Sequence, residues 1–173
     1  MEKLFAVYVG GLTEGCHIEL HDMRFAIGEA IEECYADLKA QWWGTPESLH
    51  LDAWGAVEWA DGFRVEVVDA PQADERILYL ANLGGYDPRQ FTELHENLFV
   101  VAGDPREAKK RALARIDGWV SPHRDAVLEL EQVIDVAAST RRPNRYIKLT
   151  PDAEARAFAF ETRYVPIGRM KTG

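Results

Sequence analysis

Hydrophobic and polar positions follow the same pattern twice along the chain. Each copy begins with a β-rich apolar run that ends in a glycine pair, Gly10-Gly11 in the first copy and Gly84-Gly85 in the second. A second apolar run follows, and then a stretch with apolar residues at spacings of three and four, which is typical of a helix with one buried face. Strand-like sequence resumes after each helix. The pattern predicts a β-β-α-β unit over residues 3–68, with an extra hairpin strand, and a second unit over residues 77–136.

The two copies also match residue by residue. Three blocks correspond in the same order: residues 4–11 with 78–85, residues 19–22 with 93–96, and residues 50–53 with 123–126. The offset is 74 for the first two blocks and 73 for the third. This regularity indicates a tandem duplication. We therefore expect an α+β fold in which two β-β-α-β units pair around a pseudo-twofold axis, with their helices covering a mixed or antiparallel sheet.

Local signals place some elements more closely. The predicted helix of the first copy carries one apolar stripe: Ile27, Ile31, Cys34, Tyr35, Leu38 and Trp42. In the second copy Asp104 can cap a helix, Pro105 suits its first position and Glu107 has capping-box spacing. Asp61-Gly62 predicts a hairpin turn. The apolar alternation changes phase near Asp22, which predicts a bulge or turn there.

The two glycine pairs allow two interpretations. Glycine lets backbone amides approach a phosphate closely, so Gly10-Gly11 and Gly84-Gly85 could form anion-binding loops. However, no Gly-x-Gly-x-x-Gly sequence follows, and we expect no helix directly after either pair. A turn is therefore the favoured interpretation.

Length and composition indicate one domain. The chain has 173 residues, of which 47% are hydrophobic and 28% charged, enough for a full core without disulfides. Cys16 and Cys34 form no Cys-x-x-Cys pair, so we expect a reduced, cytoplasmic setting. The apolar run Leu4–Val9 is too short for a membrane span or a signal peptide. We therefore expect a single domain over residues 1–173 and no membrane partner.

Charge is distributed unevenly along the chain. Residues 139–173 contain eight basic and three acidic residues, a net charge of +5. The net charge of the chain is −9, so residues 1–138 have a net charge of −14. We expect the basic C-terminal segment to pack on the acidic body, the alternatives being a second subunit or a phosphate. The candidate phosphate or partner contacts are Arg141, Arg142 and Arg145. The acidic body makes nucleic acid an unfavoured partner, and the five tryptophans suit either the core or a homodimer interface.

Histidines are the main candidates for chemistry. Four of them occupy equivalent positions in the two copies, each with a carboxylate two residues away: Glu19 and His21, His50 and Asp52, Glu93 and His95, His123 and Asp125. Imidazole and carboxylate together suit a divalent metal or a general acid-base pair. In an extended segment residues i and i+2 share a face, whereas in a helical turn they diverge by roughly 200°. The alternative is a structural role, in which these side chains hydrogen-bond the backbone near the glycine pairs.

Several strings resemble one bacterial family. They are residues 4–11, residues 18–22 with Arg24-Phe25, residues 49–54, and residues 82–87 with 93–96. They are similar to the family called domain of unknown function 1543, whose members carry this unit once or twice, and the resemblance covers most of residues 3–135. It implies a bacterial, cytoplasmic protein and supports the duplication. It brings no activity, cofactor or catalytic residue.

Three functions remain open from the sequence. The leading hypothesis is a non-catalytic binding or interaction protein that holds a small polar ligand or a divalent metal at the histidine-carboxylate pairs. The second is a metal-assisted hydrolase-type enzyme in which one carboxylate acts as general base. The third is a weak RNA-binding module that uses Arg141, Arg142 and Arg145.

Overall fold

Antiparallel strands dominate the computed structural model, which describes residues 1–115, 121–122, 133–154 and 156–169. The strands are β1 (Lys3–Gly11), β2 (Leu20–Gly28), β3 (His50–Ala56), β4 (Trp59–Ala60), β5 (Phe63–Val68), β6 (Ile77–Tyr86), β7 (Leu94–Ala102), β8 (Ser121–Pro122), β9 (Val133–Asp135), β10 (Tyr146–Pro151) and β11 (Glu161–Pro166). The helices are α1 (Tyr35–Gln41), α2 (Pro105–Leu113) and α3 (Val136–Ser139), with 3-10 turns at Ile31–Cys34 and Pro46–Ser48. The fold is therefore of the mixed α+β class. Among the described helices none is long and apolar enough to cross a lipid bilayer.

The described strands form three small sheets. The first has the order β11-β3-β1-β2, the second β10-β5-β4, and in the third β6 pairs with β7 on one side and with β8 and β9 on the other. Every pairing is antiparallel among the residues that the structure describes. The extra hairpin predicted in the first copy, β4 and β5, thus leaves the first sheet and joins β10 from the C-terminal segment.

The β1–β2 and β6–β7 hairpins share one register. The first ladder runs from Lys3 opposite Gly28 to Gly11 opposite Leu20, and the second from Ile77 opposite Ala102 to Gly85 opposite Leu94. Adding 74 to each residue number of the first ladder gives the second, which is the offset found in the sequence. Residues of matching sequence therefore have matching strand partners in the two hairpins.

The first and third sheets pack face to face. Leu4 of β1 and Leu78 of β6 belong to one central cluster, while their neighbours Phe5 and Tyr79 belong to two separate outer clusters. Successive residues of a strand point to opposite faces, so each sheet has one face in the centre and one face outside. Helix α1 covers the outer face of the first sheet and α2 that of the third. The layers therefore run helix, sheet, sheet, helix.

The prediction for α2 is confirmed at its start, and the prediction for α1 is wrong at its ends. The start of α2 is confirmed, because the Asp104 side chain accepts a hydrogen bond from the Glu107 backbone N–H at 2.8 Å. The long stripe predicted for the first copy is wrong at both ends: Ile27 belongs to β2 and Trp42 follows α1. Ile27 lies four residues before Ile31, so it matches the helical spacing by coincidence. Its side chain is buried in the central cluster, on the opposite face of the sheet from α1.

The bulge predicted near Asp22 is wrong, and a bulge occurs at Asp52. The β1–β2 register runs without a break, whereas in the β1–β3 pairing Tyr8 lies opposite Ala53 and Val9 opposite Leu51. Asp52 is thus the extra residue of β3. The change of phase in β2 has another cause, because that strand is exposed where it begins and buried on both faces where it ends.

The C-terminal segment contributes strands and ion pairs to the body. Strand β10 pairs with β5 and β11 with β3. Arg142 and Arg145 both contact the Glu2 carboxylate, and Arg141 donates to the backbone carbonyl of Ala40 at 2.9 Å. The hydrogen bond from Arg145, opposed by partial burial and aided by Arg142, lowers the pKa of Glu2 below its usual value.

The turn of the β4–β5 hairpin contacts β7 and α2 through Asp61. Asp61 and Gly62 form its turn and have positive φ angles of 51° and 82°, which confirms the predicted hairpin. The Asp61 carboxylate accepts a hydrogen bond from the Val101 backbone N–H at 2.7 Å and forms ion pairs with Arg111 and Arg115. Only 5% of this side chain is exposed, so its charge depends on these partners.

We predict that Asp61→Asn destabilises the protein by about 2 kcal/mol, because it removes a buried charge from two arginines and weakens the bond to the Val101 N–H. Asparagine tolerates positive φ, so the turn itself is preserved. Urea unfolding measures the effect. Asp74→Asn, which removes an exposed carboxylate paired with Arg76, is the control and should cause no measurable change. Equal unfolding midpoints for the two variants would contradict the assignment.

We also predict that the two cysteines differ in reactivity. Burial, with smaller contributions from nearby acidic groups such as Asp37, raises the pKa of the Cys34 thiol to about 12, whereas Cys16 is partly exposed. Because the thiolate is the nucleophile, Cys34 should not react in the folded protein. Ellman's reagent should titrate one thiol in the native state and two in denaturant. Rapid reaction of a Cys16→Ala variant would contradict this.

Candidate metal site

The site is built around Gly10, near the end of β1. Gly10 lies opposite His21 of β2 on one side and opposite His50 of β3 on the other. Residues directly opposite each other in antiparallel strands project to the same face. A Cβ atom on Gly10 would lie 2.5 Å from His50 Nε2, 2.8 Å from Asp52 Oδ2 and 2.9 Å from His21 Cδ2. Gly10 therefore leaves the space in which these three side chains meet.

Four side chains converge there: Glu19, His21, His50 and Asp52. His21 Nε2 lies 3.5 Å from a Glu19 oxygen and 3.3 Å from Asp52 Oδ2. His50 Nε2 lies 3.5 Å from the other Glu19 oxygen and 3.5 Å from Asp52 Oδ2. One donor atom each of Glu19, His21 and His50 fall within 4.8 Å of one another. Each imidazole nitrogen thus faces two carboxylates.

His50 and Asp52 are two residues apart and both reach the cluster, and the bulge at Asp52 also returns Ala53 to the same side of the sheet. His50, opposite Gly10, and Ala53, opposite Tyr8, face the central side of the sheet, and Leu51 and Trp54 face α1. Regular alternation could not place His50 and Ala53 on one side, because they are three residues apart. The extra residue Asp52 changes the phase of the strand.

Two atoms of the cluster are buried without a hydrogen bond in the protein. His50 is only 2% exposed, and both His50 Nε2 and Asp52 Oδ2 make no hydrogen bond within the described residues. His50 Nδ1 lies 2.9 Å from the backbone carbonyl of Ser48. A carbonyl can only accept, so Nδ1 carries the proton, and in a neutral imidazole the Nε2 lone pair points into the cluster. This arrangement is typical of a metal-binding histidine.

The surroundings hold both imidazoles in place. The Tyr8 ring stacks on His21 with a centroid distance of 5.2 Å, and Tyr164 of β11 lies 4.4 Å from the His50 ring. Burial, reinforced by the negative charges of Asp52 and Asp22, raises the pKa of Tyr8. Ser48 is itself fixed, because its hydroxyl donates to the Thr45 carbonyl at 2.7 Å. The rings are therefore held by contacts on several sides.

A cleft of about 580 Å³ opens beside His50. Its walls include Glu19, Glu47, His50, Tyr164 and Arg169. Two of the four cluster residues, Glu19 and His50, therefore lie on the wall of this cleft.

Comparisons with known proteins bear on the same residues. The family model described as Domain of Unknown Function (DUF1543) matches residues 16–67, a range that contains all four cluster residues. This match covers 52 of the 173 residues. The chain is similar to the crystal structure of a protein Il1583 from Idiomarina loihiensis, with 31% identity and a TM-score of 0.73 over 96% of this chain and 98% of that one. No curated protein matches the sequence.

Of the matching set in residues 77–136, Glu93 and His95 are described. His95 Nε2 lies 3.6 Å from a Glu93 oxygen, and His95 is opposite Gly84 as His21 is opposite Gly10. The side chain of His95 is 48% exposed, against 31% for His21. His123 and Asp125 lie outside the described residues. The structure thus assembles a four-residue cluster in the first copy and a Glu-x-His pair in the second.

The turn interpretation of the glycine pairs is wrong. Gly10-Gly11 lies within β1 and Gly84-Gly85 within β6, and none of the four has positive φ. The need for glycine at position 11 is also steric, because a Cβ there would lie 2.6 Å from the Trp42 ring and 2.9 Å from Ser48 Oγ. Close approach of side chains, rather than backbone conformation, explains glycine at positions 10 and 11.

Sequence reasoning missed the residues that orient the histidines. Tyr8, Ser48 and Tyr164 carry no motif, and Tyr164 reaches His50 from more than a hundred residues away. A signal for Tyr8 was present, since it precedes Gly10 by two residues on an extended run and so shares its face. No comparable signal exists for Tyr164.

We predict that Gly10→Ala disrupts the cluster. The new methyl group would overlap His50 Nε2 and Asp52 Oδ2, which must move, at a cost of about 1–3 kcal/mol. Chemical denaturation measures the cost, and histidine NMR resonances report the displacement. Gly103→Ala is the control, because a Cβ there meets only Glu107 Oε2, at 3.5 Å. Unchanged His21 and His50 resonances in Gly10→Ala would refute this account of Gly10.

Proposed function

We propose that the protein binds one divalent transition metal ion through His21 Nε2, His50 Nε2 and the Glu19 carboxylate, with Asp52 at the fourth position. The observation that carries the proposal is the pair of buried atoms, His50 Nε2 and Asp52 Oδ2, that face the same point without a hydrogen bond. Two such acceptors cannot satisfy each other, and a cation between them satisfies both.

The spacing of the donor atoms supports this proposal. Ligands at about 2.1 Å from a tetrahedral metal lie roughly 3.4 Å from one another. The four nitrogen-to-oxygen distances in the cluster are 3.3, 3.5, 3.5 and 3.5 Å. These four spacings are close to tetrahedral edges, with a different Glu19 oxygen next to each histidine.

The donor types favour particular metals. Two imidazoles with carboxylates suit zinc, manganese or iron, whereas calcium and magnesium prefer sites made of oxygen ligands. Neutral Nε2 of His50, held by the Nδ1 contact to the Ser48 carbonyl, is the form that coordinates. We therefore assign a transition metal of the zinc type as the ligand.

The leading role is metal binding without catalysis, and hydrolysis is a second candidate. The hydrolase is favoured by the cleft of about 580 Å³ beside Glu19 and His50. In that function three residues hold the metal, the fourth position takes water, and Asp52 Oδ2 accepts its proton. If Asp52 instead coordinates the metal, the site is closed with four protein ligands, as structural sites are.

We predict that the purified protein takes up zinc or cobalt with a stoichiometry close to one per chain. His50→Ala and Glu19→Gln should each weaken metal binding by more than about 100-fold. Loss of a residue that only hydrogen-bonds a metal ligand costs up to about 100-fold, and loss of the ligand itself should cost more. Elemental analysis and calorimetric titration measure this. The matched control is His17→Ala, an exposed histidine in the segment before β2. Equal affinity in His17→Ala and His50→Ala would refute the site.

We predict for the hydrolase candidate that zinc-loaded protein cleaves p-nitrophenyl acetate, and that Asp52→Asn keeps the metal but lowers the rate at least about 100-fold. The unmodified protein and the Asp52→Asn variant are assayed after elemental analysis has confirmed that their zinc contents are equal. If metal-free and zinc-loaded protein hydrolyse the ester equally, or if Asp52→Asn retains the full rate, the protein is not a hydrolase of this type.

We further propose that the chain is a tandem duplication with pseudo-twofold symmetry. The shared register of the two hairpins, at an offset of 74, supports this. In an experimental structure residues 3–28 should superpose on 77–102 without gaps. A bacterial, cytoplasmic origin and a homodimer stay predictions from the sequence. The RNA-binding alternative gains no support, because Arg141, Arg142 and Arg145 all contact the body of the protein.

A further inference from the structure

A second cleft lies between the first and third sheets, and His21 lines part of its wall. It has two adjoining lobes of about 500 Å³ and about 380 Å³. Both lobes are lined by Tyr8, Met23, Leu80 and Asn97, so they form one continuous space. We call it the inter-sheet cleft. Its lobes are of the size at which proteins bind small organic molecules.

The larger lobe is walled by aromatic rings. Phe158 contacts Phe99 with a centroid distance of 5.5 Å and stacks on Phe160 at 5.9 Å. Gly55 lets this segment lie directly on β3, since a Cβ there would come within 2.7 Å of the Phe158 ring. The aromatic wall is thus fixed to the sheet. Phe160 nevertheless remains 60% exposed at the edge of the cleft.

The smaller lobe is polar, with Asn82 and Asn97 on its wall. Asn82 and Asn97 occupy the positions that Tyr8 and Met23 hold in the first copy. The Asn82 side-chain nitrogen donates to the Asn97 side-chain oxygen at 2.8 Å. An amide side chain offers two donors and two acceptor positions, so the pair still presents an acceptor on Asn82 and donors on Asn97. His21 and His95 line the same lobe.

We propose that the inter-sheet cleft binds a small planar heteroaromatic molecule with hydrogen-bond donors and acceptors on its edge. The ring lies among the aromatic side chains of the larger lobe, where stacking and edge contacts stabilise it. Its polar edge pairs with the free amide groups of Asn82 and Asn97. A purely apolar molecule would leave those amides without partners. A cationic one would find Asp22 already paired with Arg24, and no lysine or arginine lines the described wall for an anionic one.

The proposal is tested with adenine as the heteroaromatic probe and naphthalene as the ring-only comparator. Saturation-transfer NMR and calorimetry are carried out with metal-free protein in EDTA, so the result does not depend on the metal site. We expect adenine to bind with a stoichiometry of one. Asn97→Leu should weaken binding roughly tenfold, since it removes the hydrogen bonds of one amide. Met23→Trp should abolish binding by filling the space shared by the two lobes.

Two control variants complete the experiment. Glu96→Leu changes an exposed neighbour of Asn97 on β7, and Leu113→Trp adds the same ring as Met23→Trp on an exposed position of α2. Both should bind adenine as the unmodified protein does. The proposal is overturned if adenine fails to bind at millimolar concentration, if naphthalene binds as tightly as adenine, or if Asn97→Leu binds as well as Glu96→Leu.

Discussion

The antiparallel register of β1 with its two neighbours is the constraint on which the rest of the site depends. Because Gly10 pairs with His21 on one side and His50 on the other, two imidazoles from distant parts of the sequence meet on one face of the sheet. A shift of either neighbour by one residue would turn that histidine to the opposite face, against α1. The hydrophobic residues of those neighbouring strands oppose this shift, since Phe25 of β2 packs in the central cluster and Leu51 of β3 packs in the outer one. The packing of the core and the geometry of the site are therefore fixed by one set of backbone hydrogen bonds.

Sequence reasoning succeeded where the deciding interaction is local. The cap at Asp104 and the turn at Asp61-Gly62 are each set by a few adjacent residues, and both were predicted. The shortlist of Glu19, His21, His50 and Asp52 came from the repeat and from i, i+2 spacing. Their meeting at one point could not be predicted, because it depends on the register of β1 with β2 and β3. Ile27 was assigned to a helix for a related reason, since a strand end that is buried on both faces loses the alternation that identifies strands.

Glycine illustrates how an apparent backbone signal can have another cause. Paired glycines ordinarily mark turns, yet Gly10 and Gly11 are extended, and their lack of a side chain serves the neighbouring strands. At Gly10 the space is used by His50 and Asp52, and at Gly11 by Trp42 and Ser48. One strand end thus accommodates polar groups on its central face and an indole on its outer face.

The position of β11 has a consequence for when the site can form. Tyr164, which covers the His50 ring, lies more than a hundred residues after it, and the Ile167 and Gly168 backbone N–H groups bond to the Leu49 carbonyl just before β3. During synthesis Glu19, His21, His50 and Asp52 therefore emerge long before this covering strand does. The cluster stays open on that side until β11 has been made and has paired with β3.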